Sequence, residues 1–395
     1  MRSLNVLMTA DTMGGVWTYA LDLARSLADY GCEIALAAMG GLLSAPAARS
    51  AARIRHLHLY ESSYKLEWMD EPWNDVAEAG AWLLDLAHQV RPDIVHLNNF
   101  AHGSLPWQAP VLMVGHSCVL SWWQAVKGES APSNWDRYAR AVRSGLQAAD
   151  LVVAPTRAML SALQTHYGPL PPSQVIYNGR NPRFFRPEAK EPLILAVGRL
   201  WDEAKNVQTL DRIGDHLAWP VYVAGEDHHP SGSRQHFSHL KPLGKLQAEE
   251  LAGWLARAGI YALPARYEPF GLSVLEAALS GCALVLGDIQ SLREVWGNAA
   301  LYVAPDDPDA LTGALNRLSR DSQLRTQLAQ AAFLQAQHYT QAAMGAAYWQ
   351  AYQAVLVNAA LPTPAGVHKR PAYRFGRSWP DLAGSGRIST IETVG

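Results

Sequence analysis

Tyr267–Asp288, YEPFGLSVLEAALSGCALVLGD, places a loop carboxylate, Glu268, ahead of the turn Pro269-Phe270-Gly271 and then begins an apolar helical pattern carrying a second carboxylate, Glu276. After the breaker Ser280-Gly281, Cys282 to Leu286 is a continuous apolar run, the pattern of a buried parallel strand. A helix starting at Leu272 turns the unpaired N–H groups around Gly271, Leu272 and Ser273, with the positive end of its dipole, toward whatever precedes it, which suits a phosphate. Carboxylates accept hydrogen bonds in pairs, so Glu268 on the loop and Glu276 about one turn into the helix suit the paired hydroxyls of sugars. From spacing alone, the same residues read equally well as a solvated loop acid and an acid favoured by the helix dipole.

The Glu-x7-Glu pair with the intervening PFGLSVLEA, the following GCALVLGD, and SLREVWGNAALYVAPDDPDAL at residues 291–311 resemble the nucleotide-sugar site of the retaining GT-B glycosyltransferases of family 4 (glycosyl transferases group 1). The match is long and ordered, which makes it far more specific than two glutamates. It implies an α/β chain of two doubly wound Rossmann-like domains facing across a cleft.

The bulk composition is compatible. At 395 residues the chain exceeds what one core usually supports, so two domains are the prior. Hydrophobic residues at 49% and charged residues at 17% are ordinary for a globular protein. A formal net charge of −2 and the absence of a Lys/Arg run exclude nucleic acid as an expected partner. The three cysteines, Cys32, Cys118 and Cys282, lack metal or disulfide spacing. The opening MRSLNVLMTADTMGG has too short an apolar run for a signal peptide, and no stretch approaches the ~20 apolar residues of a membrane helix. A soluble, cytoplasmic protein is expected. Arg49, Arg53, Arg55, Arg137, Arg140 and Arg143 could support a weak peripheral membrane contact, but they read more simply as solvated helix faces.

The first half alternates strand and helix. Leu4 to Met8 is a strand pattern, Gly14-Gly15 open an amphipathic helix through Trp17, Leu21, Ala24 and Leu27, and Ile34 to Ala38 is the next strand. The loop lacks G-x-G-x-x-G and the second strand ends Ala37-Ala38-Met39 without an acid, which disfavours a dinucleotide dehydrogenase. Residues 41–75 read as irregular and as shaping the acceptor side. A helix is predicted from Trp82 to Val90, strands at Ile94–Leu97 and Val111–Val114, a helix from Trp135 to Ala148, a strand at Leu151–Ala154 and a helix from Arg157 to Tyr167. His116 follows a strand end, where a polar residue points into a ligand crevice. Trp122 and Trp123 could form an apolar platform for a sugar or fill core or interface volume.

In the second half, Leu193 to Val197 is a strand, followed by Arg199 and Lys205 before a helix. Arginine can bind phosphate oxygens in a fork while lysine supplies a compact point charge, so the pair can neutralise a diphosphate. Further strands are predicted at Val221–Gly225, Leu243–Leu246 and Ile260–Leu263. His236 and His239 have i, i+3 ligand spacing, but no Cys or partner acid is placed to complete a metal site, and none is expected.

By resemblance, residues 1-182 form the N-terminal acceptor-side domain, 183-339 the C-terminal nucleotide-sugar domain, and a helix at about 340-358 returns to the first. Residues 359-395, rich in Pro, Gly, Ser and Arg, are expected to be a disordered tail. The interdomain stretch Val175-Ile176-Tyr177-Asn178-Gly179 matches the family, but Arg180-Asn181 replaces its more usual apolar-acidic pair, and a hinge belongs at residues 178–187. The resemblance further implies Gly14 and Gly15 near donor phosphates and acceptor, and His116 near the transferring sugar. Arg199 and Lys205 become a diphosphate clamp, Glu268 holds sugar hydroxyls, Glu276 holds the ribose, and Phe270, Gly271, Leu272 and Ser273 line the donor. The reaction implied is transfer of a hexosyl group of glucose or mannose type from a nucleoside diphosphate sugar, with a UDP-sugar favoured, to a hydroxyl acceptor with retention of configuration. The acceptor could be a sugar, a lipid-linked sugar or a small metabolite, and no cofactor or metal is expected. The alternatives are a nucleotide-sugar epimerase on the same fold and a non-catalytic nucleotide-sugar binding protein.

Overall fold

Short apolar runs flanked by amphipathic helices pair in parallel, because only helical crossovers connect them and both faces of the sheet are then covered. The computed structural model, which describes residues 3–228 and 234–360, contains two such sheets. The first holds β1 (Leu4–Asp11), β2 (Cys32–Met39), β3 (Leu57–Glu61), β4 (Ile94–Leu97), β5 (Val111–Val114), β6 (Leu151–Ala154) and β7 (Ser173–Val175) in the order β3-β2-β1-β4-β5-β6-β7. The second holds β8 (Glu191–Val197), β9 (Val221–Ala224), β10 (Lys241–Gly244), β11 (Ala258–Leu263), β12 (Ala283–Gly287) and β13 (Leu301–Val303) in the order β10-β9-β8-β11-β12-β13. Every pairing is parallel, with Val6 opposite Ile34 and Ile94 in the first sheet, and Ile260 opposite Ile194 and Ala283 in the second. These two doubly wound sheets give the two-domain α/β architecture that the resemblance implies.

Strand alternation divides each core into two layers. Val6, Met8, Ile34 and Leu36 face one side of the first sheet, and Leu7, Ala35, Val95 and Leu97 the other. In the second sheet Leu195, Tyr261 and Leu263 oppose Ile194, Ile260 and Ala262. The last helix, Gln341–Ala360, packs its Met344, Tyr348, Tyr352 and Val355 into the first sheet's core beside helix Gly15–Ala28. Burying Met344 and Val355 contributes roughly 1.5–3 kcal/mol each. The two helices approach so closely that a Cβ on Gly345 would lie 2.0 Å from Ser26 Oγ.

Three parts of the sequence reading are corrected. Residues 41–75 are not irregular throughout: helix Ala45–Ala52, capped by the Ser44 hydroxyl, and β3 lie within them. Only Ala51 of that helix is buried and β3 is an edge strand without a fully buried residue, so neither has a strong apolar pattern. Helix Trp73–Val90 begins at Trp73 rather than Trp82, after the cap position Pro72. Trp122 and Trp123 lie on a short helix, Val119–Lys127, a stretch to which the sequence reading assigned no element. The tail beyond residue 360 lies outside the described residues. Among the described residues no helix is long and apolar enough to cross a membrane, and Arg49, Arg137, Arg140 and Arg143 sit on helices, with Arg137 stacked over the Trp73 ring at 4.5 Å.

Candidate active site

In a doubly wound sheet the crevice opens at the carboxyl ends of the strands where the strand order reverses. These points lie between β1 and β4 in the first sheet and between β8 and β11 in the second. The chain leaving β8 carries Arg199 and Lys205, that leaving β11 carries Glu268, and that leaving β1 carries Asp11, Gly14 and Gly15. The topology thus gathers residues scattered over the sequence.

On the second domain, Lys205 Nζ lies 2.6 Å from Glu268 Oε2, with both side chains largely buried. Glu268 Oε1 accepts from the Phe270 N–H at 3.4 Å, and the Ser291 hydroxyl donates to the Glu268 carbonyl at 2.5 Å, fixing the loop on both sides. Phe270 is buried and packs edge-on against Tyr339, supporting this loop from beneath. Gly271 then takes φ 90°, a conformation that L side chains rarely adopt, and helix Leu272–Leu279 starts. Ser273 Oγ accepts from the Tyr261 hydroxyl at 2.8 Å.

Arg199 Nη2 pairs with Asp202 Oδ2 at 2.7 Å. Burial alone would raise the Asp202 carboxyl, but Arg199 and Lys205, with hydrogen bonds from the Trp122 indole and the Ala204 N–H, hold it below its ordinary value. Trp122 Nε1 donates to Asp202 Oδ1 at 3.1 Å, which makes Trp122 a contact between the domains. A Cβ on Gly14 would lie 3.8 Å from Arg199 Nη1, and one on Gly15 3.5 Å from Leu272 Cδ1, so the glycine loop faces both the arginine and the helix start.

His116 follows β5 and donates from Nε2 to Asn98 Oδ1 at 2.8 Å. Asn98 Nδ2 donates to the Thr9 carbonyl at 2.7 Å, which orients the amide oxygen toward the ring and leaves His116 Nδ1 as an acceptor. Burial pushes its pKa down to about 3, so the ring is neutral. Asp11, which the sequence reading missed, lies at the end of β1, where burial first and the Glu67 carboxylate as a smaller contribution raise its pKa to about 6, against a Met13 N–H bond and the field of Arg199.

Glu276 lies apart from the Lys205–Glu268 pair. Its Oε1 is 2.9 Å from Arg180 Nε, and Arg180 Nη1 pairs with Asp22 on helix Gly15–Ala28. Burial raises the Glu276 pKa, and Arg180 opposes that shift. The sequence marks Arg180 only as a departure from the family's interdomain pattern, without a role, and does not single out Asp22. His236 and His239 are both exposed, and the described residues able to offer three metal-ligand atoms together are instead Glu226, Asp227 and His228. Asp227 there already pairs with Arg234 and His228.

Further contacts cross between the domains. The Tyr267 hydroxyl meets Ser121 Oγ at 2.8 Å, Thr156 Oγ1 donates to the Pro269 carbonyl at 2.9 Å, and Lys127 pairs with Glu203 at 2.6 Å. Glu294 accepts from the Arg157 and Ala158 N–H groups at 2.8 and 2.9 Å, acting as a carboxylate cap on a helix of the other domain.

Comparison with known proteins agrees with this architecture. Residues 13–184 match the model of Glycosyltransferase Family 4, and residues 191–321 that of Glycosyl transferases group 1. A D-inositol 3-phosphate glycosyltransferase from Corynebacterium diphtheriae is 25% identical over 411 residues, covering 91% of this chain and 93% of the relative. The chain spans between 30% and 64% of the length of an Escherichia coli O-antigen chain mannosyltransferase B and a Mycobacterium tuberculosis glycogen synthase, which it matches at 31% and 29% identity over 34% and 61% of its own length. Among solved structures, sucrose-phosphate synthase from Thermosynechococcus elongatus superposes with a TM-score of 0.76 at 17% identity, over 90% of this chain and 100% of that one. Anabaena HepE in complex with UDP-glucose gives 0.70 at 16% identity, over 89% and 100%. Two parallel sheets with their switch points turned to one cleft, and two family matches that between them take in both domains, establish that this chain belongs to the family 4, group 1 glycosyltransferases of the GT-B fold.

Proposed function

We propose that the protein transfers a hexosyl group from a nucleoside diphosphate sugar, with a UDP-sugar favoured, to an acceptor hydroxyl with retention of configuration. The observation that carries this reading is the convergence of Arg199, Lys205, Glu268 and the Leu272 helix start opposite the Gly14-Gly15 loop. The binding of UDP-glucose by the structural neighbour HepE supports the choice of donor.

In this reading Arg199 and Lys205 face the diphosphate together with the first-turn N–H groups of helix Leu272–Leu279. Negative charge grows on the departing diphosphate as the glycosidic bond breaks, and fixed positive groups stabilise it without reorganising. Glu268, turned by Lys205, accepts from the sugar hydroxyls. Glu276 holds the ribose. His116, neutral and with Nδ1 as an acceptor, receives a hydroxyl proton as a hydrogen bond and orients that hydroxyl. The bond from the anomeric carbon to the phosphate breaks, the acceptor oxygen bonds to that carbon on the face the phosphate leaves, and the leaving phosphate oxygen takes the acceptor proton, which gives transfer with retention and requires no protein nucleophile. The two cations supply the charge that a divalent ion would otherwise bring, so the reaction proceeds without metal or other cofactor.

The test incubates UDP-, GDP- and ADP-hexoses with wild type and Lys205→Ala, with and without a cell extract as acceptor source, and follows products by mass spectrometry. Consumption of one donor with release of its nucleoside diphosphate and a new glycoside is expected, slowed ~10²–10³-fold in the variant. An isomerised donor without nucleoside diphosphate would identify an epimerase, and no turnover of any donor would reduce the site to a binding function.

A further inference from the structure

The two connections between the sheets run side by side at Arg180. Its N–H donates to the Tyr339 carbonyl at 3.1 Å and its carbonyl accepts from the Gln341 N–H at 2.9 Å, so the backbone is fixed where the chain first leaves and later re-enters the first domain. From that point its guanidinium, 12% exposed, engages one carboxylate of each domain. Nη1 pairs with Asp22 of the first, and Nε forms an ion pair with Oε1 of Glu276 of the second at 2.9 Å, a close charge contact rather than an aligned hydrogen bond, while the Phe185 ring lies 5.2 Å away on one side. Asp22 also accepts from Arg25 at 3.0 Å.

We infer that Arg180 is a positioning residue for donor binding, holding Glu276 charged and oriented for the ribose hydroxyls. The inference rests on the nucleotide-sugar reading above. A ribose diol donates two hydrogen bonds, and a charged carboxylate receives them better than a neutral acid. Left without a cation, two buried carboxylates brought to one point do not both ionise, and one keeps its proton. Arginine suits the task because it stays protonated at any working pH and binds two acids from one planar group. Burial raises the Glu276 pKa, Asp22 raises it further, and Arg180 opposes both. The groups facing Glu276 are Arg180 of the linker, Asp22 and through it Arg25 of helix Gly15–Ala28, and Tyr261 of β11, whose hydroxyl burial keeps protonated. Of these, Arg180 alone brings a positive charge directly onto Glu276.

UDP affinity measured calorimetrically between about pH 7 and 9, above the second ionisation of the UDP phosphate at about pH 6, tests this, together with KM and kcat for the donor. In wild type the affinity holds steady over the range. In Arg180→Leu it falls as pH is lowered, by ~10-fold for each unit that the Glu276 pKa rises into the range, and the loss is in KM rather than kcat. Arg180→Lys restores the flat profile. Where Arg180→Leu alone does not fold, Arg180→Leu with Asp22→Asn removes the second acid as well, and its loss of affinity moves to lower pH because burial alone then acts on Glu276. A flat profile in both leucine variants overturns the inference while leaving the donor reading intact, because Arg180 is then only a structural tie. Failure of the wild type to bind UDP or any other nucleoside diphosphate overturns both.

Discussion

His116 shows at the scale of one residue how surroundings decide chemistry. An exposed histidine titrates near 6.5, but this half-buried ring packs edge-on against Tyr19 and donates to Asn98, and desolvation lowers its pKa to about 3. The neutral form is therefore the folded one, and its stabilisation is complete above the unfolded pKa of about 6.5 and lost as pH falls from there toward about 3. The slope is up to ~1.4 kcal/mol per pH unit for a single such group. His116→Gln keeps a donor for Asn98 without the titration, so chemical denaturation should show a shallower acid loss of stability, while kcat/KM of the wild type shows no inflection near pH 6.5 from this ring. Equal acid sensitivity in wild type and variant would contradict the assignment. Arg199 and Lys205 carry a second residue-scale expectation. If, as proposed, their charges face a diphosphate, donor turnover should be unchanged by EDTA dialysis, and a loss restored by a divalent ion would show that they do not suffice.

At the scale of elements, the start of helix Leu272–Leu279 depends on one backbone conformation. Gly271 has φ 90°, and a Cβ there would lie 3.0 Å from Val274 Cγ2. Gly271→Ala should cost ~1–3 kcal/mol and shift the first-turn N–H groups, read as a lower Tm together with a raised donor KM. An unchanged KM would mean that this helix start does not meet the donor. The element was legible in sequence because a turn of small residues precedes an uninterrupted apolar helix and strand, and the same contrast revealed β1, β5, β6, β8 and β11 as buried runs. Helix Ala45–Ala52 and β3 were not legible, because each buries little and an apolar pattern records burial rather than hydrogen bonding. The site divided in the same way. Arg199, Lys205 and Glu268 each announce themselves as a charge at the end of an apolar run. Asp22 reads as one more polar position on an amphipathic helix, and only its contact with Arg180, distant in sequence, reveals it. Asp202 and Glu294 were hidden for the same reason, since their partners Trp122 and Arg157 belong to the other domain.

At the scale of the whole molecule, the cleft is bordered by contacts that differ in kind. Trp122–Asp202, Tyr267–Ser121 and Thr156–Pro269 lie beside the candidate site, whereas Glu294 reaches the N-terminus of helix Arg157–Tyr167 and also accepts from the Tyr177 hydroxyl at 2.9 Å. A carboxylate on a helix N-terminus combines hydrogen bonding with the helix dipole, together worth ~1–2 kcal/mol where partly buried. Glu294 is supplied from the opposite domain, so that energy exists only while the domains are in contact and would act directly on any balance between closed and open forms. A change of 1.4 kcal/mol is tenfold in that balance, enough to matter if the two forms lie within a few kcal/mol. Glu294→Ala should therefore enlarge the radius of gyration measured by small-angle scattering without ligand, and saturating UDP should reverse the change by adding contacts made only in the closed form. If closure excludes water from the transferring sugar of the proposed reaction, the same variant should hydrolyse donor faster relative to transfer. If the scattering and the hydrolysis-to-transfer ratio both match wild type, the Glu294 cap stabilises a fixed arrangement of the domains, and closure is governed by the contacts beside the site instead.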